Sequence, residues 1–203
     1  ATAASAGVEI VTPVPEGHGI GRVLLQWTDA SRSDAGTASG KRELAGWLYY
    51  PAEGAPVDGG VALDGAWAEA YRPTLERRIG ARAADAMLRA RWHATTGPAT
   101  EGRFPVLIFA HGYRQLPTSY NAVLESLVAR GYVVLALASP GLAEVVPLPG
   151  GRLAPRLPLG DASYDTMARD IASAVARLPA LDVAQGQAFA GHLDLSRIGA
   201  FGH

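Results

Sequence analysis

The stretch Phe104–Ser139, FPVLIFAHGYRQLPTSYNAVLESLVARGYVVLALAS, decides the fold. Residues 104–112, FPVLIFAHG, are a continuous apolar run closed by glycine, the pattern of a strand buried on both faces. Residues 118–131 switch to helical spacing: Tyr120, Val123, Leu124, Leu127 and Val128 fall on one face. Thr118 or Ser119 suits the N-terminal cap of that helix, and Gly131 suits the position just past its end. Residues 132–139, YVVLALAS, form a second buried strand. A buried strand, a helix and a buried strand in succession predict a parallel pair joined by a right-handed crossover.

The same grammar continues downstream. Residues 140–160 read as a long loop rich in Pro, Gly and Leu. Residues 163–181 predict a second helix, with Tyr164, Met167, Ala168, Ile171, Val175 and Leu178 on one face. Residues 196–203, SRIGAFGH, predict a third buried strand. Upstream, GRVLLQWTDA (21–30) and RELAGWLYYPA (42–52) predict an antiparallel edge hairpin around the polar segment 31–41. Residues 1–20 read as extended, and 53–66 as a Gly-rich linker. Residues 66–93 are helical in propensity and broken at Pro73 and Gly80. They predict a helical insertion, at about 60–94, that covers the sheet rather than capping a site. The expected architecture is α/β, an antiparallel edge hairpin and then parallel strands with crossover helices.

Composition narrows the function classes. The chain has 203 residues, 48% of them hydrophobic and 18% charged, with a net charge of −1 and no cysteine. That balance gives no electrostatic case for nucleic acid, and no apolar run is long enough to predict a transmembrane segment. Disulfides and cysteine-based metal or redox sites are excluded. No His/Asp/Glu grouping has metal-ligand spacing, so no metal is expected. Gly150-Gly151 precedes no helix of the phosphate-cradling type. The small-residue start, ATAASAG, fits the product of signal-peptide cleavage, so a secreted or periplasmic location is expected.

Parallel strands present functional groups at their C-terminal ends. Two ends carry chemistry-bearing residues: His111-Gly112-Tyr113-Arg114, and Gly202-His203. The second fits the first half of a G-x-S-x-G nucleophile elbow, whose tight turn needs small residues two positions to either side of the serine. The first fits an H-G-x stretch, in which the Tyr113 backbone N–H serves an oxyanion hole and Gly112 lets the backbone approach the substrate. Tyr113 and Arg114 are the candidate substrate contacts. His111 reads as a structural side chain under the loop. Glu144 and Asp161 read as solvated loop carboxylates, and Asp170 as a structural partner of an arginine.

RELAGWLYYPA, the 104–137 block, and YDTMARDIASAVARL leading into RIGAFGH together resemble an α/β-hydrolase of the platelet-activating-factor-acetylhydrolase-like group, similar also to bacterial polyester hydrolases and dienelactone-hydrolase relatives. The resemblance spans most of residues 42–203 and corresponds to the N-terminal part of a single such domain. It implies serine-dependent hydrolysis of carboxylic esters through an acyl-enzyme, with no cofactor. The implied serine would follow His203, and its Asp and His partners would come later still. None of the five histidines, His18, His93, His111, His192 and His203, is assigned as the triad base.

The resemblance also makes the C-terminal remainder of the same protein, expected to begin with Ser, the partner of this chain, and a hydrophobic ester its substrate. Three origins for an end at His203 are open: cleavage with the fragments still associated, a modified nucleophile, or truncation. Alone, the chain is expected to be inactive. Two alternatives stay open, an amide hydrolase or aminopeptidase using an N-terminal Ser created by cleavage after His203, and a non-catalytic interaction fragment.

Overall fold

The computed structural model describes residues 10–34, 37 and 39–203. The reading of 1–20 as extended and of 31–41 as a loop therefore falls partly outside the described residues. Among the described residues twelve α-helices and β-strands follow one another: β1 (Gly19–Ser33), β2 (Lys41–Ala52), α1 (Gly65–Ile79), α2 (Ala81–Arg89), β3 (Ala94–Thr95), β4 (Phe104–Ala110), α3 (Asn121–Ala129), β5 (Val133–Ala138), β6 (Val145–Leu148), β7 (Arg152–Pro155), α4 (Ala162–Asp182) and β8 (Leu193–Gly202). The main sheet has the order β3-β1-β2-β5-β4-β8. β1 and β2 form the antiparallel hairpin, β2 joins β5 antiparallel, and β5, β4 and β8 run parallel.

Alternation along β2 sorts the two faces of the sheet. Ala45, Trp47 and Tyr49 point to the face covered by α1 and α3, where Trp67, Tyr71, Leu75, Leu124 and Val128 pack. Leu48, Tyr50 and Ala52 point to the face covered by α4, against Ala174, Leu178, Leu181 and Phe189. The Trp47 and Trp67 rings lie 4.4 Å apart, a contact that adds about 0.5–1.5 kcal/mol beyond simple burial. In β4, Phe109 packs in the first layer and Val106 and Ile108 in the second, which is why its apolar run shows no alternation. The chain passes from β4 through α3 to β5, then crosses beneath the sheet through α4 to β8 on the far side of β4. Helices on opposite faces and a reversal of direction at β4 place a crevice outside its carboxyl end.

Five expectations change. The strand expected at 196–203 begins earlier, as β8, and is not buried: it lies last in the sheet order beside β4, and past Leu193 its residues are half-buried or exposed. Pro73 lies inside α1 without breaking it; only Gly80, at φ 80°, separates α1 from α2. The helix after β4 opens with a 3-10 turn, Pro117–Tyr120, and Tyr120, not Thr118 or Ser119, precedes α3, with no side-chain cap. At the other end Gly131 N–H bonds to Val128 O and Tyr132 N–H to Leu127 O, the paired closure of a Schellman motif. Residues 140–160 are not one loop: β6 and β7 pair antiparallel across Gly150-Gly151. The buried stripe of α4 is Asp170, Ala174, Leu178 and Leu181, while Tyr164 is 74% exposed. The stripe is rotated because Asp170 enters the interior on two arginines, Arg32 and Arg42.

Among the described residues no helix is long and apolar enough to cross a membrane.

Candidate active site

β4 and β8 lie side by side, with Ala110 opposite Gly202. A Cβ on Gly202 would stand 2.4 Å from the Ala110 carbonyl oxygen, closer than any side chain tolerates. Glycine is required there, and it lets the His203 N–H reach Ala110 O at 3.2 Å. The segment after β4 is thereby set against the end of β8.

His111 organises that segment. It is 2% exposed. Its Nε2 lies 3.3 Å from the Ser139 N–H, which can only donate, so Nε2 accepts. The ring proton therefore sits on Nδ1, which donates to Gly112 O at 2.8 Å. Burial pushes the His111 pKa below its ordinary value, and both ring nitrogens are satisfied in the neutral form. The residue is a neutral strut between the ends of β4 and β5.

The consequence falls on the next amide. A trans peptide sets its N–H opposite its C=O. With Gly112 O drawn to His111, the Tyr113 N–H points the other way. It makes no hydrogen bond among the described residues. Gly112 is tight as well: an added Cβ would lie 2.9 Å from His203 Nδ1 and 3.0 Å from the Tyr120 hydroxyl. The Gly112 N–H donates to that hydroxyl at 3.3 Å, and the hydroxyl lies 2.8 Å from His203 Nδ1.

The Tyr113 side chain is held at its far end. Its hydroxyl donates to Leu157 O at 2.7 Å and accepts from Arg156 at 2.8 Å, and the Arg156 guanidinium lies 5.6 Å from the ring centre. Arg114 has φ 68°, the one positive value among described non-glycine residues. A left-handed residue of this kind costs about 1–3 kcal/mol and must be held by its surroundings. Its N–H bonds to Leu142 O at 2.9 Å, and its side chain turns to Glu144. Arg114 does not line the cavity described next.

Glu144 corrects the expectation of a solvated carboxylate. Its side chain is 10% exposed and meets Arg78, Arg114 and Arg156 within 3.5 Å, with Thr74 on its other oxygen. It ties α1, the loop after β4 and the end of the β6–β7 hairpin to one point. Asp161 stays exposed at the start of α4. His93 pairs with Glu125, and His192 bonds to Gly102 O, both away from this edge.

A cavity of about 400 Å³ opens at the carboxyl ends of β4 and β8. His111, Tyr113, Gly202 and His203 line it on one side, and Leu142, Leu159, Met167, Ile171 and Phe201 make it apolar. Among the described residues no three His, Asp or Glu side chains gather as metal ligands. The structure thus brings together Gly112, Tyr113, Gly202 and His203 and leaves Arg114 apart. Sequence reading missed Tyr120 as a polar residue of the site, because helical spacing accounts for it as core. It also missed Glu144 as a hub, since nothing in a Pro/Gly-rich segment announces three arginines from distant elements.

The family model described as Chlorophyllase matches residues 82–151, which include the loop after β4 and the end of β5. A solved ferulic acid esterase from Streptomyces cinnamoneus superposes with a TM-score of 0.62 and 25% identity, over 98% of this chain and 55% of that one. No curated protein matches. The chain spans little more than half the length of that solved structure. It is an α/β-hydrolase-fold protein, esterase-like in what it resembles.

Proposed function

We propose that this chain is the N-terminal part of a serine-dependent carboxylic ester hydrolase, whose nucleophile is a serine directly after His203. The observation that carries the reading is the Tyr113 N–H, unpaired and held by the His111 strut, beside a strand end that only Gly202 can form. An ester carbonyl lying at that N–H would be attacked by the serine hydroxyl. The acyl–oxygen bond to the alcohol breaks after the tetrahedral oxyanion has formed, and water then releases the acid from the acyl-enzyme. The oxyanion would be held by the Tyr113 N–H and by the N–H of the residue after the nucleophile. The apolar lining of the cavity favours a hydrophobic ester. The matches to a chlorophyllase model and a ferulic acid esterase support ester chemistry over amide chemistry.

The test is to treat the full-length protein with a fluorophosphonate and locate the adduct by peptide mass spectrometry. Labelling of the serine next to His203, with parallel loss of p-nitrophenyl ester turnover, is the expected result. Turnover that persists in the fully modified protein, or an adduct elsewhere, overturns the reading.

A further inference from the structure

We infer that Tyr120 is a positioning residue of this site, its hydroxyl setting both the oxyanion loop and the residue that precedes the nucleophile. The inference rests on the proposed serine-hydrolase reading and adds a residue to it.

The Gly112 peptide neighbourhood is pinned from two sides. On one, His111 Nδ1–H holds Gly112 O at 2.8 Å. On the other, the Tyr120 hydroxyl accepts the Gly112 N–H at 3.3 Å. On the carbonyl side Gly112 O also accepts the Gln115 N–H at 3.0 Å, which closes the loop on itself. The Tyr120 bond adds a hold on the preceding peptide, so that both peptides of Gly112, and with them the direction of the Tyr113 N–H, are fixed relative to the end of β8. The same hydroxyl lies 2.8 Å from His203 Nδ1. Having accepted from Gly112, it still has its own proton to donate to His203. The polar path therefore runs from the Ser139 N–H through His111, the Gly112 peptide and Tyr120 to His203, joining the ends of β5, β4 and β8.

The ring of Tyr120 is itself held. It meets Phe109 edge-on at 4.9 Å and His203 at 6.0 Å, and Phe109 meets Phe201 at 4.9 Å. Removing the hydroxyl alone therefore leaves the packing in place. Tyr120 closes the 3-10 turn Pro117–Tyr120, and its hydroxyl reaches back to the Gly112 N–H of the loop before that turn.

The experiment is a double-mutant cycle in the full-length protein with Tyr120→Phe, His203→Ala and the pair, read by kcat and KM on a p-nitrophenyl ester and by inhibition with an alkyl boronic acid. Tyr120→Phe is expected to lower kcat about tenfold, less than the 10²–10³ that loss of an oxyanion donor itself costs. KM should stay within about twofold, and the boronic acid should weaken by the same factor as kcat, because both depend on the oxyanion contact. The double variant should lose no more than Tyr120→Phe alone, since the hydroxyl–His203 bond that His203→Ala removes is already cut by Tyr120→Phe.

Unchanged kcat in Tyr120→Phe, or effects of the two changes that multiply, overturns the assignment. So does loss of fold, or a lowered Tm with normal kcat in the folded fraction, which would make the hydroxyl a stability element only. Fluorophosphonate labelling of the unsubstituted protein separates the two levels. Without labelling or turnover the hydrolase reading falls and takes Tyr120 with it; with both present and Tyr120→Phe fully active, only the positioning role falls.

Discussion

Asp170 and His111 are both buried beneath the carboxyl edge of the sheet, 0% and 2% exposed, and they hold their surroundings by opposite means. Asp170 is a formal charge. It takes Arg42 at 2.7 Å and Arg32 at 2.7 Å, and Arg42 reaches on to Asp34 and to Pro140 O. Although burial alone works against its charge, Arg42 is kept firmly protonated by Asp170, its pKa raised above the usual arginine value. This cluster clamps β1, β2 and α4 together. His111 carries no charge and bonds only to backbone, at Ser139 and Gly112. Charge-paired clusters fasten elements that lie far apart in the chain. Neutral, directional bonds fix the orientation of one peptide without placing a competing charge beside an oxyanion. On the proposed hydrolase reading, the first cluster is expected to govern stability and the second turnover.

The largest effect is expected at the charged cluster. Asp170→Ala leaves two arginines, both largely buried, without their carboxylate, and breaking such a network costs about 3–5 kcal/mol. Urea denaturation should record that loss, while kcat at a temperature where the protein stays folded changes less than about twofold. A large fall in kcat would erase the distinction between the clusters.

Tyr113→Pro addresses the neutral side. It removes the proposed oxyanion N–H and should reduce kcat by about 10²–10³, worth about 2.7–4 kcal/mol in the transition state. Stopped-assay rates for this variant and for Tyr113→Phe separate backbone from side chain. The latter loses only the hydroxyl contacts to Leu157 and Arg156 and should keep most of its activity, with a stability change of about 1 kcal/mol at most.

Gly202→Ala should cost about 1–3 kcal/mol, because β8 must move to relieve the 2.4 Å approach to Ala110 O. Both Tm and kcat are expected to fall, since the displaced strand carries His203.

The smallest effect belongs to pH. In the unfolded chain His111 takes a proton as pH drops through about 6.5, whereas the folded protein, with its pKa lowered by burial, does not. The unfolded state then binds the extra proton, so stability falls as pH drops from about 6.5 to the folded pKa, by at most about 1.4 kcal/mol per pH unit. Comparing denaturation of His111→Asn and the parent at pH 7 and pH 5.5 should show a flatter dependence in the variant. An unaltered slope would mean that His111 is not kept neutral in the folded protein.

The legible parts of the molecule are those whose reasons are local. The continuous apolar runs at 104–110 and 133–138 mark strands buried on both faces, and 42–52 reads as a strand that ends at a proline. Gly112 and Gly202 stand out in the sequence as glycines at strand ends, and both sit where an added Cβ would crowd a neighbouring group. The parts that were not legible depend on partners far along the chain. Asp170 rotates the buried stripe of α4 only because Arg32 and Arg42 arrive from β1 and β2. Glu144 is a hub only because α1 and the loop after β4 converge on it. The β6–β7 hairpin escaped because its short strands carry prolines and surround a Pro-Gly-Gly turn, a composition shared with irregular loops.

The strand order has a consequence during synthesis. Ile108 of β4 pairs with Leu135 on one side and with Ala200 on the other. A ribosome adding about 5–20 residues per second completes the first neighbour soon after β4 and the second several seconds later. Through that interval Val106–Ala110, an uncharged and strongly apolar strand, presents one open edge to the cytosol or to a translocation channel. The nascent chain therefore passes through a window in which a central strand of its sheet is open on one edge and prone to stick, and a holding chaperone has a natural target there.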